Sequence, residues 1–225
     1  LAWAAGDCQT RGFLLGATAG RTTLNGEGLQ HQDGHSHLMS LTIPNCVSYD
    51  PTFAHEVAVI LQAGLKRMIE DQENVWYYVT LMNENYPQPG LTKGQEAGIL
   101  KGMYRLQEGP AGSGLGRSIP RVQLLGSGTI LREAIAAADL LWHDWGVAGD
   151  VWSVTSFTEL RREGIDVERW NLLHPGDKPR KAYVTQQLEK TVGPIVATSL
   201  EPGAGGKNSP YLDSRLFSSS YTIPG

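Results

Sequence analysis

Three observations in this sequence predict an α/β fold built on parallel strands. Strand-like and helix-like segments follow one another as strand, loop, helix, strand, and a second unit of the same kind comes later. Parallel strands need such a crossover between them, and a helix supplies it. The strand-like segments FLLGAT, CVSYD, NVWYYVTLM and VQLLGSG are short runs rich in apolar, β-branched or aromatic residues. Between the second and third of them, Phe53, Val57, Ile60, Leu61, Leu65 and Met68 keep the three-four spacing of one buried helix face.

In chain order, residues 1–11 read as the end of a helix, and Phe13 to Thr18 as a buried strand closed by Gly20. From there to Pro44 the chain is rich in Gly, Thr, Asn, His and Ser without a sustained period. So long a loop in a compact domain is usually functional. Cys46 to Asp50 is the next strand. Asp50 followed by Pro51 predicts an N-cap with proline at the first helical position. The amphipathic helix then ends in the acidic turn EDQEN and leads into NVWYYVTLM. Between Asn83 and Pro120, NYPQPG and EGPAGSGLGRSIP have linker composition, with a short helix around Gln95 to Lys101. The second unit comprises VQLLGSG, an Ala/Leu-rich helix from Ile130 to Trp145, the strand DVWSVTSF, a polar helix around Thr158 to Trp170, and a last strand GPIVATS ending at Ser199. After Ser199 the Gly, Pro and Ser content predicts a disordered tail. The chain shows no internal repeat. It opens without methionine inside an apolar-patterned segment, which predicts a piece of something longer.

Composition narrows the function classes. The 225 residues are 40% hydrophobic and 19% charged, an ordinary globular composition. A net charge of −4 gives no footing for nucleic acid or an anionic membrane as partner. No apolar run has the length of a bilayer span, and the N-terminus lacks a basic region before an apolar core. Two cysteines, Cys8 and Cys46, without CxxC spacing, read as reduced cytosolic thiols.

Chemistry concentrates in LQHQDGHSHL, where His31, Asp33, His35 and His37 alternate within seven residues. HxH and HxxxH spacings can bind zinc, but QDG and Ser favour a turn, and no Cys or Glu lies at a typical ligand offset. Acid/base work is a second reading: histidine titrates near neutral pH, and the carboxylates of Glu27 and Asp33 would suit a substrate whose charge changes, such as a pyruvate-like acid. Loop histidines satisfied by backbone carbonyls are a third. GSG before the Ile130 helix resembles half of a nucleotide fingerprint. It lacks the third glycine and the distal acid, so it reads as a plain strand-to-helix turn.

GRTTLNGEGLQHQDGHSH, SLTIPNCVSYDPTFAHEVAVIL, NVWYYVTLMNENY, VQLLGSGTILREAIAAADLL, DVWSVTSFTEL and ERWNLLHP resemble homodimeric-type pyruvate dehydrogenase E1 components over about Leu1 to Ser199. The resemblance implies a partial transketolase-like pyrimidine-binding domain (residues 1–88), a linker (89–120), and the first part of the transketolase C-terminal-like α/β domain (121–199). Residues 200–225 are left as a disordered or non-native tail, outside the resemblance, and a truncated or frame-shifted gene product would explain it.

That family implies a cytoplasmic enzyme dependent on thiamine diphosphate and Mg2+, homodimeric, with the cofactor between two E1 subunits. It decarboxylates pyruvate oxidatively and reductively acetylates the lipoyl domain of its E2 partner, dihydrolipoyl acetyltransferase. By resemblance, His31 is the catalytic histidine on the substrate side; Asp33, Gly34 and His37 face the donor, and Glu27 belongs with the substrate-binding group. Asn83 stands where transketolases place a phosphate-binding arginine, which favours a small 2-oxo acid over a sugar phosphate. The catalytic glutamate that activates the aminopyrimidine, the aromatic that stacks on that ring and the magnesium-holding GDG segment would precede Leu1, so the isolated chain is predicted to be inactive. The competing classes are a histidine-loop metal-binding protein and a non-catalytic interaction module.

Overall fold

In the computed structural model, residues 1–17, 35–82, 84–111, 113–114 and 117–199 are described. The first unit opens with α1 (Ala2–Asp7) and β1 (Phe13–Ala17). It continues through α2 (Ser36–Leu41), β2 (Cys46–Tyr49), α3 (Ala54–Leu65) and β3 (Trp76–Leu81). The connection holds α4 (Glu96–Lys101), β4 (Tyr104–Gln107) and a small ribbon of β5 (Ser113–Gly114) and β6 (Arg117–Ser118). The second unit contains β7 (Arg121–Gly126), α5 (Ile130–Trp145), β8 (Ala148–Ser153), α6 (Phe157–Leu173), α7 (Tyr183–Leu188) and β9 (Ile195–Thr198).

Among the described residues β1, β3 and β2 form a parallel sheet in that order, registered by Phe13 with Tyr77 and Cys46 with Trp76. The second sheet has the order β4-β8-β7-β9. β7 runs parallel to both neighbours, and β4 pairs antiparallel to β8. The predicted parallel α/β architecture is therefore present twice. Strand β3 is buried from Trp76 to Thr80, as a central strand covered on both faces must be. Leu14 and Leu15 on β1 remain about half exposed, at 52% and 48%, and mark an uncovered flank of the first sheet.

Four expectations are corrected. Asp50 is not an N-cap: α3 starts at Ala54 with Phe53 at the cap position. Phe53 has no acceptor, so the Glu56 carboxylate caps the helix instead, accepting from the Thr52 and Phe53 amides at 2.7 and 2.9 Å. The region read as unbroken loop to Pro44 contains α2. The helix through Met68 closes in a π-helical turn, Lys66–Glu70, which widens the last turn while keeping Met68 buried. The stretch read as linker supplies β4, an edge strand of the second sheet. Its Tyr104 is buried in one cluster with Val47, Ile60, Tyr77 and Ile99.

The two units share their interiors. Phe53 from the first is 4% exposed and packs with Val122, Leu124, Leu131 and Val151 of the second. Burial of such a ring stabilises by about 1.5–3 kcal/mol. The glycines of VQLLGSG have packing reasons: a Cβ on Gly126 would come within 2.8 Å of the Leu131 backbone, and one on Gly128, at φ +52°, within 2.7 Å of the Asp50 carboxylate. The sequence is a close-packed turn, as read, with Asp50 in the space a side chain would need.

Asp150 organises the far end of the second sheet. Its carboxylate accepts from Arg121 Nη2 (2.5 Å), the Gly109 amide (2.9 Å) and Gln123 Nε2 (2.8 Å). Burial alone would raise its pKa, but Arg121 and the two other donors hold it below the ordinary carboxylate value. A depressed pKa adds stability above the unfolded value and loses it as pH falls through the folded one. Melting temperature should therefore drop as pH falls below about 4, and Asp150→Asn should flatten that slope. An unchanged slope in the variant would place the acid sensitivity elsewhere.

Candidate active-site wall

The two sheets meet at the carboxyl ends of their strands. Asp50 follows β2, and its amide donates to Thr155 O (2.7 Å) beyond β8, while its carbonyl accepts from the Gly128 amide (3.1 Å) beyond β7. Thr80 at the end of β3 donates its hydroxyl to Asp50 Oδ1 at 2.5 Å. Asp50 thus ties four strand ends together through its backbone and its carboxylate. Ligands of open α/β sheets bind at this end of the strands.

Hydroxyl groups continue the seam. Ser156, the N-cap of α6, accepts from the Glu159 amide (3.0 Å) and donates to Ser48 O (2.6 Å). Thr158 also donates to Ser48 O, and its hydroxyl lies 2.7 Å from that of Ser48. A small cavity lies among His37, Asp50, Ser127, Ser156, Thr158 and Ser199. It lies beside α2 and brings together groups from both units.

Of the sequence-predicted site residues, His37 is placed by the structure. It lies in the first turn of α2, 4% exposed, with its ring 5.0 Å from that of Tyr78. His31, Asp33 and Glu27 lie outside the described residues, as does Asn83. His35 holds the N-cap position of α2 and is exposed. Residues two apart at a helix start point to different faces, so His35 and His37 do not converge as an HxH metal pair would require.

Beside this seam lies a buried carboxylate that the sequence reading did not single out. Glu56, fully buried, takes Tyr104 Oη (2.8 Å) and Ser153 Oγ (2.5 Å) on Oε1, in addition to its two cap amides on Oε2. His55 Nε2 stands 3.1 Å from the same Tyr104 hydroxyl. Burial and the Glu56 charge push the Tyr104 phenol far up, so it serves as a neutral donor. The Cys46 thiol, pushed up to about 12 by burial, is inert at neutral pH. Glu56 could have been noticed three residues after Phe53, at the capping-box offset, but Phe53 is not a Ser or Thr and masks the motif.

Sequence comparison places the chain among known proteins. Residues 1–89 fit the family model described as the pyruvate dehydrogenase E1 component middle domain, and residues 102–208 the transketolase-like C-terminal domain. The pyruvate dehydrogenase E1 component of Cupriavidus necator is 60% identical over 199 residues. The chain matches part of a pyruvate dehydrogenase E1 component. Those of Pseudomonas aeruginosa and Escherichia coli K12 are 59% and 58% identical, and each alignment covers 88% of this chain and 22% of the relative. The chain therefore spans about a fifth of the length of the E1 relatives it matches. The transketolases of Campylobacter jejuni (TM-score 0.57, 17% identity) and Leishmania mexicana (0.59, 15%) each cover 91% of this chain, which itself covers 26% and 25% of theirs. At that identity they show the fold alone. The C-terminal family match runs to residue 208, and the alignment to the C. necator relative spans 199 residues.

Among the described residues no helix is long and apolar enough to cross a membrane.

Proposed function

We propose that this chain is a segment of a pyruvate dehydrogenase E1 component, forming the substrate-side wall of its active site. The observation that carries this reading is 60% identity over 199 residues to an E1 component. In this reading residues 1–88 are the latter part of a pyrimidine-binding domain, 89–120 the connection, and 121–199 the first part of the transketolase C-terminal-like domain. The complete enzyme would use thiamine diphosphate and Mg2+ to decarboxylate pyruvate, pair with a second E1 subunit, and pass the acetyl group to the lipoyl domain of E2 in the cytoplasm.

The described residues do not fit a cofactor anchor. Glu56 has all its acceptor capacity taken by four donors, and Asp50 is bound to Thr80 and pressed against Gly128. Glu56, with both oxygens taken twice, is not placed to meet an aminopyrimidine or a magnesium ion. What the chain supplies is substrate-side chemistry. His31 would stabilise charge or move a proton beside the reacting carbon, and Asp33, His37 and Glu27 would line the donor position.

Grafting residues 1–199 into the C. necator E1 in place of the matching segment tests this. Thiamine-dependent pyruvate decarboxylation should persist within about tenfold of the parent rate, a difference of about 1.4 kcal/mol in barrier. A folded graft without activity would sink the proposal. The isolated 225-residue chain should show no turnover, and measurable turnover would mean that it holds a complete site.

A further inference from the structure

We propose that Arg162 is a positioning residue for His37: it reaches from α6 in the second unit and fixes the short helix that carries this imidazole in the first. The role rests on the reading that His37 lines the donor position. His37 lies in the first turn of α2, so any shift of α2 moves it directly.

A helix of six residues is too short to be stable alone, and its last carbonyls carry partial negative charge that a cation can offset. The last turn of α2 has no basic residue of its own. Ser40 Oγ donates to His37 O (2.8 Å), and Thr42 Oγ1 to Met39 O (2.7 Å). The Met39, Ser40 and Ile43 carbonyls also accept backbone amides of the following turn, and the other unit adds a second donor to Ser40 and Ile43 and serves Leu41. Arg162 Nη2 lies 3.4, 3.3 and 3.0 Å from the carbonyls of Ser40, Leu41 and Ile43, and Nη1 donates to Cys46 O at 2.5 Å. One guanidinium therefore spans the end of α2, the turn after it and the first residue of β2.

Its own pose is set. Nη1 also donates to Glu159 Oε1 at 2.9 Å, one turn back on α6. The first turn of α6 is pinned to β2 through Ser156 and Thr158. Lysine could not substitute, because a single ammonium lacks the planar fork that serves several carbonyls at once. A displacement of about 1 Å in a substrate-positioning element can cost about a hundredfold in rate, which is why a contact at the opposite end of α2 from His37 can matter to turnover.

Two measurements separate positioning from a general brace. In the full 225-residue chain, Arg162→Gln and Arg162→Lys should each speed amide exchange in residues 37–46 by about tenfold and leave β7 and β8 unchanged. Uniform acceleration, or none, overturns the proposal. In the grafted E1, the same variants should lower kcat/KM for pyruvate by about ten- to a hundredfold with thiamine diphosphate affinity unchanged. Local exchange without a kinetic effect reduces Arg162 to a brace and overturns the positioning role. Inactivity of the unsubstituted graft instead defeats the functional reading, while exchange still decides whether Arg162 holds α2.

Discussion

Replacing Glu56 by alanine is expected to cost at least about 4 kcal/mol, because each buried donor left without a partner loses about 1–3 kcal/mol. Four donors converge on this carboxylate: two amides of its own helix start, and the Tyr104 and Ser153 hydroxyls of β4 and β8. Loss of a helix cap alone would cost only about 1 kcal/mol. The excess would measure the bridge between the two units. Total stability of a domain is about 5–15 kcal/mol, so the alanine variant stands close to unfolding. Glu56→Gln keeps the shape but offers one oxygen and should fall between the two. Urea melts of both variants are the check. A cost of about 1 kcal/mol for alanine would mean that the hydroxyls contribute nothing.

The second large effect concerns chemistry. In the grafted E1, His31→Ala is expected to lower pyruvate turnover by about 10²–10⁴-fold, the usual worth of a positioned general acid or base. Thiamine diphosphate affinity should be unaffected, since the proposal puts this imidazole on the substrate side. Steady-state kinetics beside cofactor titration read the two effects separately. A parallel loss of affinity would move His31 to the cofactor.

The two units respond differently to being read from sequence. Helix α5 runs over the predicted Ile130 to Trp145, because its apolar spacing and the Gly146 after it are local signals. The strands β2, β3, β7 and β9 likewise show as apolar runs between turn residues. Strand β4 was hidden. YRLQ has exposed and buried residues in the pattern of an edge, and its sheet partner β8 lies about forty residues on, so only pairing reveals it. Helix α2 was hidden for a related reason. SHLMSL is too short for a periodic signal, and its end is completed by Arg162 from α6.

Asp50 shows the same limit within a single residue. Asp-Pro before an apolar helix face is a sound N-cap signal, yet the tertiary structure uses this side chain to hold Thr80 and fill the space beside Gly128. The helix then starts at Ala54, capped by Glu56 from inside.

The parallel α/β class, most strands, the long helices, the cluster of histidines and the likeness to pyruvate dehydrogenase E1 are legible without the fold. Each of these rests on spacing within a few turns of chain, or on residue identity. Only the tertiary structure decided that the two units share one interior, that Glu56 and Asp50 are spent on joining them, and that Arg162 completes a helix of the other unit. Those are contacts between residues 48 to 122 positions apart. A buried carboxylate or a helix end is satisfied by whatever donor the fold brings near, and local pattern carries no record of which donor that is.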